Sequence, residues 1–139
     1  MKIKTILVDL DNTMHDTAKG IVENCRGRYP KLNIPEYGTM PLDWKFSNYN
    51  LPEDYWQLFG SNKTYKEEYI YKDCREALFK LKEKGYKILV CTRSNLGLDK
   101  KKAFIRQYFP MVDGVIFVST KEFEDKYLIS NNRETILID

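Results

Sequence analysis

Ile6-Leu7-Val8 runs straight into Asp9-Leu10-Asp11-Asn12-Thr13, and this junction constrains the chain more than any other stretch. Three consecutive apolar residues fit a strand buried on both faces, as found inside a parallel sheet. If the backbone stays extended, alternation sends Asp9 and Asp11 to one face and Leu10 to the other. Two like charges at the end of a buried strand repel and lose hydration, which is costly without a cation between them. A hard cation that takes oxygen ligands, Mg²⁺, meets that need. The competing reading is an ordinary acidic turn, since Asp-Asn is good turn chemistry.

Three more apolar runs follow the first. Ile88-Leu89-Val90-Cys91 leads into Thr92, Val115 to Val118 leads into Ser119-Thr120-Lys121, and Ile136-Leu137-Ile138 leads into Asp139. Helical periodicity separates them. Ala18, Ile21, Val22 and Cys25 repeat at helical spacing over Asp16 to Tyr29, and Pro30 stops that helix. Asp73-x-x-Glu76 reads as a capping box ahead of Cys74, Ala77, Leu78 and Leu81, with Gly85 closing the helix. Asp99 to Tyr108 reads as a helix with Ala103, Phe104 and Tyr108 facing inward and Lys100-Lys101-Lys102 on a solvated face. A polar-apolar segment containing Phe123, Tyr127, Leu128 and Ile129 reads as a last short helix. Strands alternating with helices predict an α/β fold around a parallel sheet. Between residues 30 and about 65 the pattern breaks. Prolines punctuate it and Tyr37, Trp44, Phe46, Tyr49, Tyr55, Trp56 and Phe59 crowd into it, which predicts a satellite aromatic core with some binding or lid character. A short helix is expected within Leu51 to Phe59.

Composition narrows the class. A chain of 139 residues suits one domain with a small insertion. An apolar fraction of 42% and a charged fraction of 31% are those of a soluble globular protein. The net charge of +3 is too small and dispersed to argue for a nucleic-acid surface by itself, and a mildly basic enzyme acting on phosphorylated anions would look the same. Cys25, Cys74 and Cys91 are too far apart to pair as metal ligands. Cys74 and Cys91 read as small buried hydrophobes, and the set implies a reducing, cytoplasmic setting. No run is long enough to span a membrane, and no secretion signal is visible. His15 is the only histidine, which excludes His-based triads. A lone histidine after a turn reads as solvated or capping, and its closeness to Asp11 leaves a role near the substrate as the alternative.

The pattern Asp9-x-Asp11-x-Thr13 after an N-terminal apolar strand resembles motif I of the haloacid dehalogenase (HAD) superfamily of phosphotransferases. The resemblance implies a Rossmann-like three-layer α/β core, residues 1–13 and 72–139, with a small helical cap inserted at 14–71. It implies that Asp9 is the nucleophile and Asp11 the general acid/base, with Thr92 holding a phosphoryl oxygen and Lys121 balancing the charge. Lys126 is the alternative lysine. Asp139 would complete a Mg²⁺ shell with Asp9 and the Asp11 carbonyl. The family usually carries two acids at the last position, whereas Asp139 stands alone at the end of this sequence. That predicts a weaker metal site or a longer parent chain. Val115-Ile116-Phe117-Val118-Ser119-Thr120-Lys121 and Ile136-Leu137-Ile138-Asp139 are similar to the 5′(3′)-deoxyribonucleotidases, which stack a nucleobase on cap aromatics. Trp44, Phe46 and Trp56 are the candidates here. The expected function is Mg²⁺-dependent hydrolysis of phosphomonoesters through an aspartyl-phosphate. A phospho-receiver signalling domain and a catalytically impaired binding protein are the alternatives, and the oligomeric state stays open.

Overall fold

The computed structural model describes residues 2–43, 45–93, 96–118 and 134–138. Its strands are β1 (Thr5–Val8), β2 (Lys87–Arg93), β3 (Gly114–Val118) and β4 (Thr135–Ile138), and its helices are α1 (Thr17–Arg28), α2 (Cys74–Glu83) and α3 (Leu98–Tyr108). The strands form one parallel sheet in the order β3-β2-β1-β4. Leu7 stands opposite Leu89 on one side and Leu137 on the other. β1 is therefore an inner strand, and its carboxyl end lies between two neighbours.

Alternation along β1 divides the core. Ile6 and Val8 join Ile88 and Val90 under Leu78 of α2 and Phe104, Ile105 and Phe109 of α3 and its end. Leu7 points the other way, into a smaller cluster with Cys91 and Val118. Each such side chain contributes about 1.5–3 kcal/mol on burial. Two helices differ from expectation. Asp73 occupies the N-cap of α2 in a left-handed conformation (φ 67°), and its side chain caps nothing. In α3 the inward residues are Lys101, Phe104 and Ile105, while Ala103 is exposed.

A second cluster gathers around α1, where Ala18, Ile21, Val22 and Cys25 pack with Phe46, Tyr49 and Leu58. Tyr37, Tyr55 and Phe59 lean on it, so most of these aromatics do form a satellite core. Phe46 is 2% exposed and has no free face for a base, whereas Trp56 is 51% exposed. Trp44 lies outside the described residues. The expected short helix is a 3₁₀ turn, Tyr55–Gly60. One contact ties the segment after it to α1. The Gly20 Cα faces the Thr64 carbonyl oxygen so closely that a Cβ there would overlap it. Asn24 Nδ2 donates to Ser61 Oγ (3.1 Å) and Thr64 Oγ1 (3.2 Å) at the same seam.

Candidate active site

The Asp-Asn turn and the acidic motif prove to be one device. The Asp9 amide donates to Ile138 O (2.9 Å), holding the end of β1 against β4. Asn12 then takes a left-handed conformation (φ 58°), which asparagine tolerates better than most residues. The amides of Thr13, Met14 and His15 turn back on Leu10 O at 3.0–3.3 Å. Asn12 Oδ1 and Asp16 Oδ1 accept from the Ala18 and Lys19 amides, so the turn also starts α1. Met14 and Leu10 are fully buried beneath it.

This turn presents the Asp11 carboxylate to four donors. Oδ1 accepts from Tyr65 OH (2.7 Å) and Thr17 Oγ1 (2.8 Å). Oδ2 accepts from Lys101 Nζ (2.8 Å) and, at 3.5 Å, from Thr92 Oγ1. Such charge-assisted bonds hold the carboxylate in one orientation. Thr92 and Lys101 are 0% exposed and the Asp11 side chain 14%. The Lys101 ammonium also reaches Arg93 O (3.1 Å) and Thr92 Oγ1 (3.4 Å), and stands 5.7 Å and 5.9 Å from the Tyr65 and Phe59 ring centroids. Tyr65 is buried beside both carboxylates. Burial first, then the charge of Asp11 and its hydrogen bond, with Asp9 adding to them, push its phenol well above the usual value, so it remains a donor.

His15 is fully buried, neither solvated nor capping. The Lys66 amide donates to its Nε2 (3.3 Å), which places the ring proton on Nδ1, 2.9 Å from Thr17 Oγ1. The Thr17 hydroxyl is then left to donate to Asp11. Burial holds the imidazole pKa down at about 4, against the raising influence of Asp11 and Asp16, so at neutral pH the ring is uncharged. The ring stacks on Tyr65 (centroids 5.1 Å apart) and meets Phe104 edge-on (5.2 Å).

Of the residues expected from sequence, Asp9, Asp11 and Thr92 are brought to one strand-end site. Lys121, Lys126 and Asp139 lie outside the described residues. Lys101, expected on a solvated face, is instead the buried cation of the site. Its signal was present, because Lys101, Phe104, Ile105 and Tyr108 have the spacing of one helix face. His15 was signalled only by its closeness to Asp11, and Thr17 and Tyr65 carried no comparable signal, Tyr65 arriving from 54 positions away.

The model of the family described as 5′ nucleotidase, deoxy (Pyrimidine), cytosolic type C protein matches residues 2–133. The chain belongs to this family. It is a HAD-type phosphatase of the 5′-nucleotidase kind, and its Rossmann-like α/β fold recurs in solved HAD structures. A predicted phosphatase from Clostridium acetobutylicum matches at TM-score 0.63 and 22% identity, over 99% of this chain and 76% of that one. The HAD-hydrolase YfnB from Bacillus subtilis, in a structure bound to magnesium, matches at TM-score 0.60 and 11% identity, over 99% and 78%. A haloacid dehalogenase-like hydrolase from Streptococcus pneumoniae matches at TM-score 0.55 and 17% identity, over 99% and 75%. At these identities the likeness establishes the fold. No curated protein matches this nucleotidase-family chain. Among its described residues, no helix is long and apolar enough to cross a membrane.

Proposed function

We propose that the chain hydrolyses phosphomonoesters, nucleoside monophosphates among them, by forming and breaking an aspartyl-phosphate on Asp9. The observation that carries this reading is the clamp of Thr17, Tyr65, Thr92 and Lys101 on Asp11, beside Asp9 at the end of an inner strand. A solvated acidic turn has no use for a buried lysine.

An Asp9 oxygen attacks phosphorus, the new O–P bond forms and the ester O–P bond breaks. Asp11 delivers a proton to the departing oxygen. Water then attacks the same phosphorus, Asp11 takes its proton, and the Asp9 O–P bond breaks to release inorganic phosphate. The four donors around Asp11 hold its carboxylate in one orientation, beside Asp9, for both proton transfers. For the first step the phosphoryl group draws Lys101 away from Asp11 Oδ2. The ammonium already lies 3.4 Å from Thr92 Oγ1, so a short movement takes it from carboxylate to phosphoryl oxygen. Lys121 or Lys126 adds a second cation in this reading.

The donor set fits Mg²⁺. The Asp9 carboxylate and the Asp11 main-chain carbonyl are hard oxygen donors, with Asp139 as the third ligand, and both nitrogens of His15 are already engaged. Bound there, the metal would neutralise charge gathering on the phosphoryl group. Residues 14–71 act as the cap that selects substrate, with Trp56, which is exposed, as one base-stacking candidate and Trp44 as the other. The free cysteines Cys25, Cys74 and Cys91 support a reducing, cytoplasmic setting.

A panel of nucleotides and sugar phosphates, assayed for phosphate release with and without Mg²⁺, tests the reading. Mg²⁺-dependent release, abolished by a chelator, is expected. Undiminished release in the chelator, or none from any member, contradicts it.

A further inference from the structure

Away from Asp11, a cleft of about 740 Å³ opens between α1, the 61–66 segment and the start of α3. It is lined by Arg28, Lys63, Lys66 and Lys100, with Glu23 the one acid and Tyr69 an aromatic edge. Glu23 is already neutralised by Arg26, at 2.9 Å. Among the described residues, Arg28, Lys63 and Lys100 form no ion pair, and Lys66 has only a loose one with Glu68 at 3.6 Å. Four cations around one cavity, with the single acid already paired, repel one another. Such an arrangement is stabilised by an anion that bridges them.

The α1 wall of the cleft runs away from the reacting carboxylates. Thr17, which touches Asp11, begins α1, while Glu23 and Arg28 lie six and eleven residues further along. At about 1.5 Å per residue, that is a rise of roughly 9–16 Å along α1 from Thr17. None of the lining residues is Asp9, Asp11 or Thr92. The wall nevertheless connects to the site, because the Lys66 amide holds His15 Nε2, and His15 orients Thr17 on Asp11.

We infer that this cleft is a second anion site, which takes a phosphate-rich group distinct from the phosphate being hydrolysed. Lys and Arg chains from three separate elements converge on phosphate oxygens there, and Tyr69 supports Lys66 and Lys19 through its ring face (5.8 Å and 5.4 Å). The group is either a distal phosphate of the substrate or the phosphates of a separate nucleotide. The inference goes beyond the proposed hydrolysis, and its binding readout stands whether or not Asp9 is the nucleophile.

Inorganic tripolyphosphate is the probe, titrated calorimetrically into the full chain without metal. Arg28 and Lys63 are exposed and form no ion pair among the described residues, and Arg28 rests on the ring of its neighbour Tyr29 (5.8 Å), so R28A/K63A folds as the parent does, which circular dichroism checks. The double variant binds tripolyphosphate at least about tenfold more weakly, the loss expected for charge-assisted contacts. It hydrolyses p-nitrophenyl phosphate, which has no distal anion, within about twofold of the parent rate. A distal substrate phosphate is indicated if kcat/KM favours a nucleoside 3′,5′-bisphosphate over the monophosphate and the variant loses that preference. A separate nucleotide is indicated if tripolyphosphate alters turnover of the monophosphate without competing, and the variant is indifferent to it. Equal affinity of parent and variant for tripolyphosphate, or no binding by the parent, overturns the inference.

Discussion

Replacing Lys101 by Met separates a functional cation from a merely structural one. Methionine keeps much of the aliphatic stem but removes the ammonium, and with it the bonds to Asp11 Oδ2, Arg93 O and Thr92 Oγ1. Breaking a buried ion pair costs about 3–5 kcal/mol, because the remaining charge stays desolvated. The Asp11 side chain is 14% exposed and keeps Thr17, Tyr65 and Thr92, so the lower end applies, about 3 kcal/mol. For a chain of this size that lowers Tm by about 10 °C, readable by calorimetry. Activity at a temperature where the variant is fully folded falls further than stability explains, by about 10²–10³ in kcat, since phosphoryl charge loses a preorganised donor. The loss is larger for an alkyl phosphate than for p-nitrophenyl phosphate, whose good leaving group needs little help from Asp11. A variant with lowered Tm but kcat within a few-fold of the parent on both substrates would refute the role assigned to Lys101.

Two further outcomes follow, one from the same site and one from the packing of α1. His15 titrates near 4 in the fold against 6.5 when unfolded, so between those values the unfolded chain binds the extra proton. Stability therefore falls as pH drops from about 6.5 to 4, by about 3 kcal/mol. Asp113, whose pKa is lowered chiefly by its hydrogen bond from Lys82, acts only below the ordinary carboxylate value, so the windows are separable. Urea unfolding across this range shows the slope in the parent and not in His15→Gln. In α1, Gly20→Ala forces Thr64 away and costs about 1–3 kcal/mol by thermal denaturation, while Gly27→Ala, with open space around its Cβ, gains about 0.5–1 kcal/mol. A Gly20→Ala variant as stable as Gly27→Ala would show that the close approach is unimportant.

How much of this was legible in the chain depended on the range of each signal. All four strands follow from short apolar runs ending in polar residues, a local pattern that a parallel sheet covered on both faces imposes on the inner strands β1 and β2 and that β3 and β4, at the edges of the described sheet, share. The site was legible where it coincides with strand ends, at Asp9, Asp11 and Thr92. Lys101 was misread because three consecutive lysines outweigh, by composition, the helical spacing that places one of them inward. Asp73 shows the converse failure. Its spacing to Glu76 suits a capping box, but a left-handed backbone at Asp73 turns the side chain away from the cap. Tyr65 meets His15 and Thr17 because the segment ending at Ile70 bridges back to His15, a contact with no local pattern in sequence.

The central claim is that Asp9 carries the phosphoryl group. Mass spectrometry of enzyme quenched in acid during turnover tests it directly. The account predicts a phosphoryl adduct on the peptide containing Asp9 in the parent, and in Asp9→Asn neither adduct nor turnover, with unfolding unchanged. Turnover by Asp9→Asn at the parent rate, or an adduct on another residue, would contradict it.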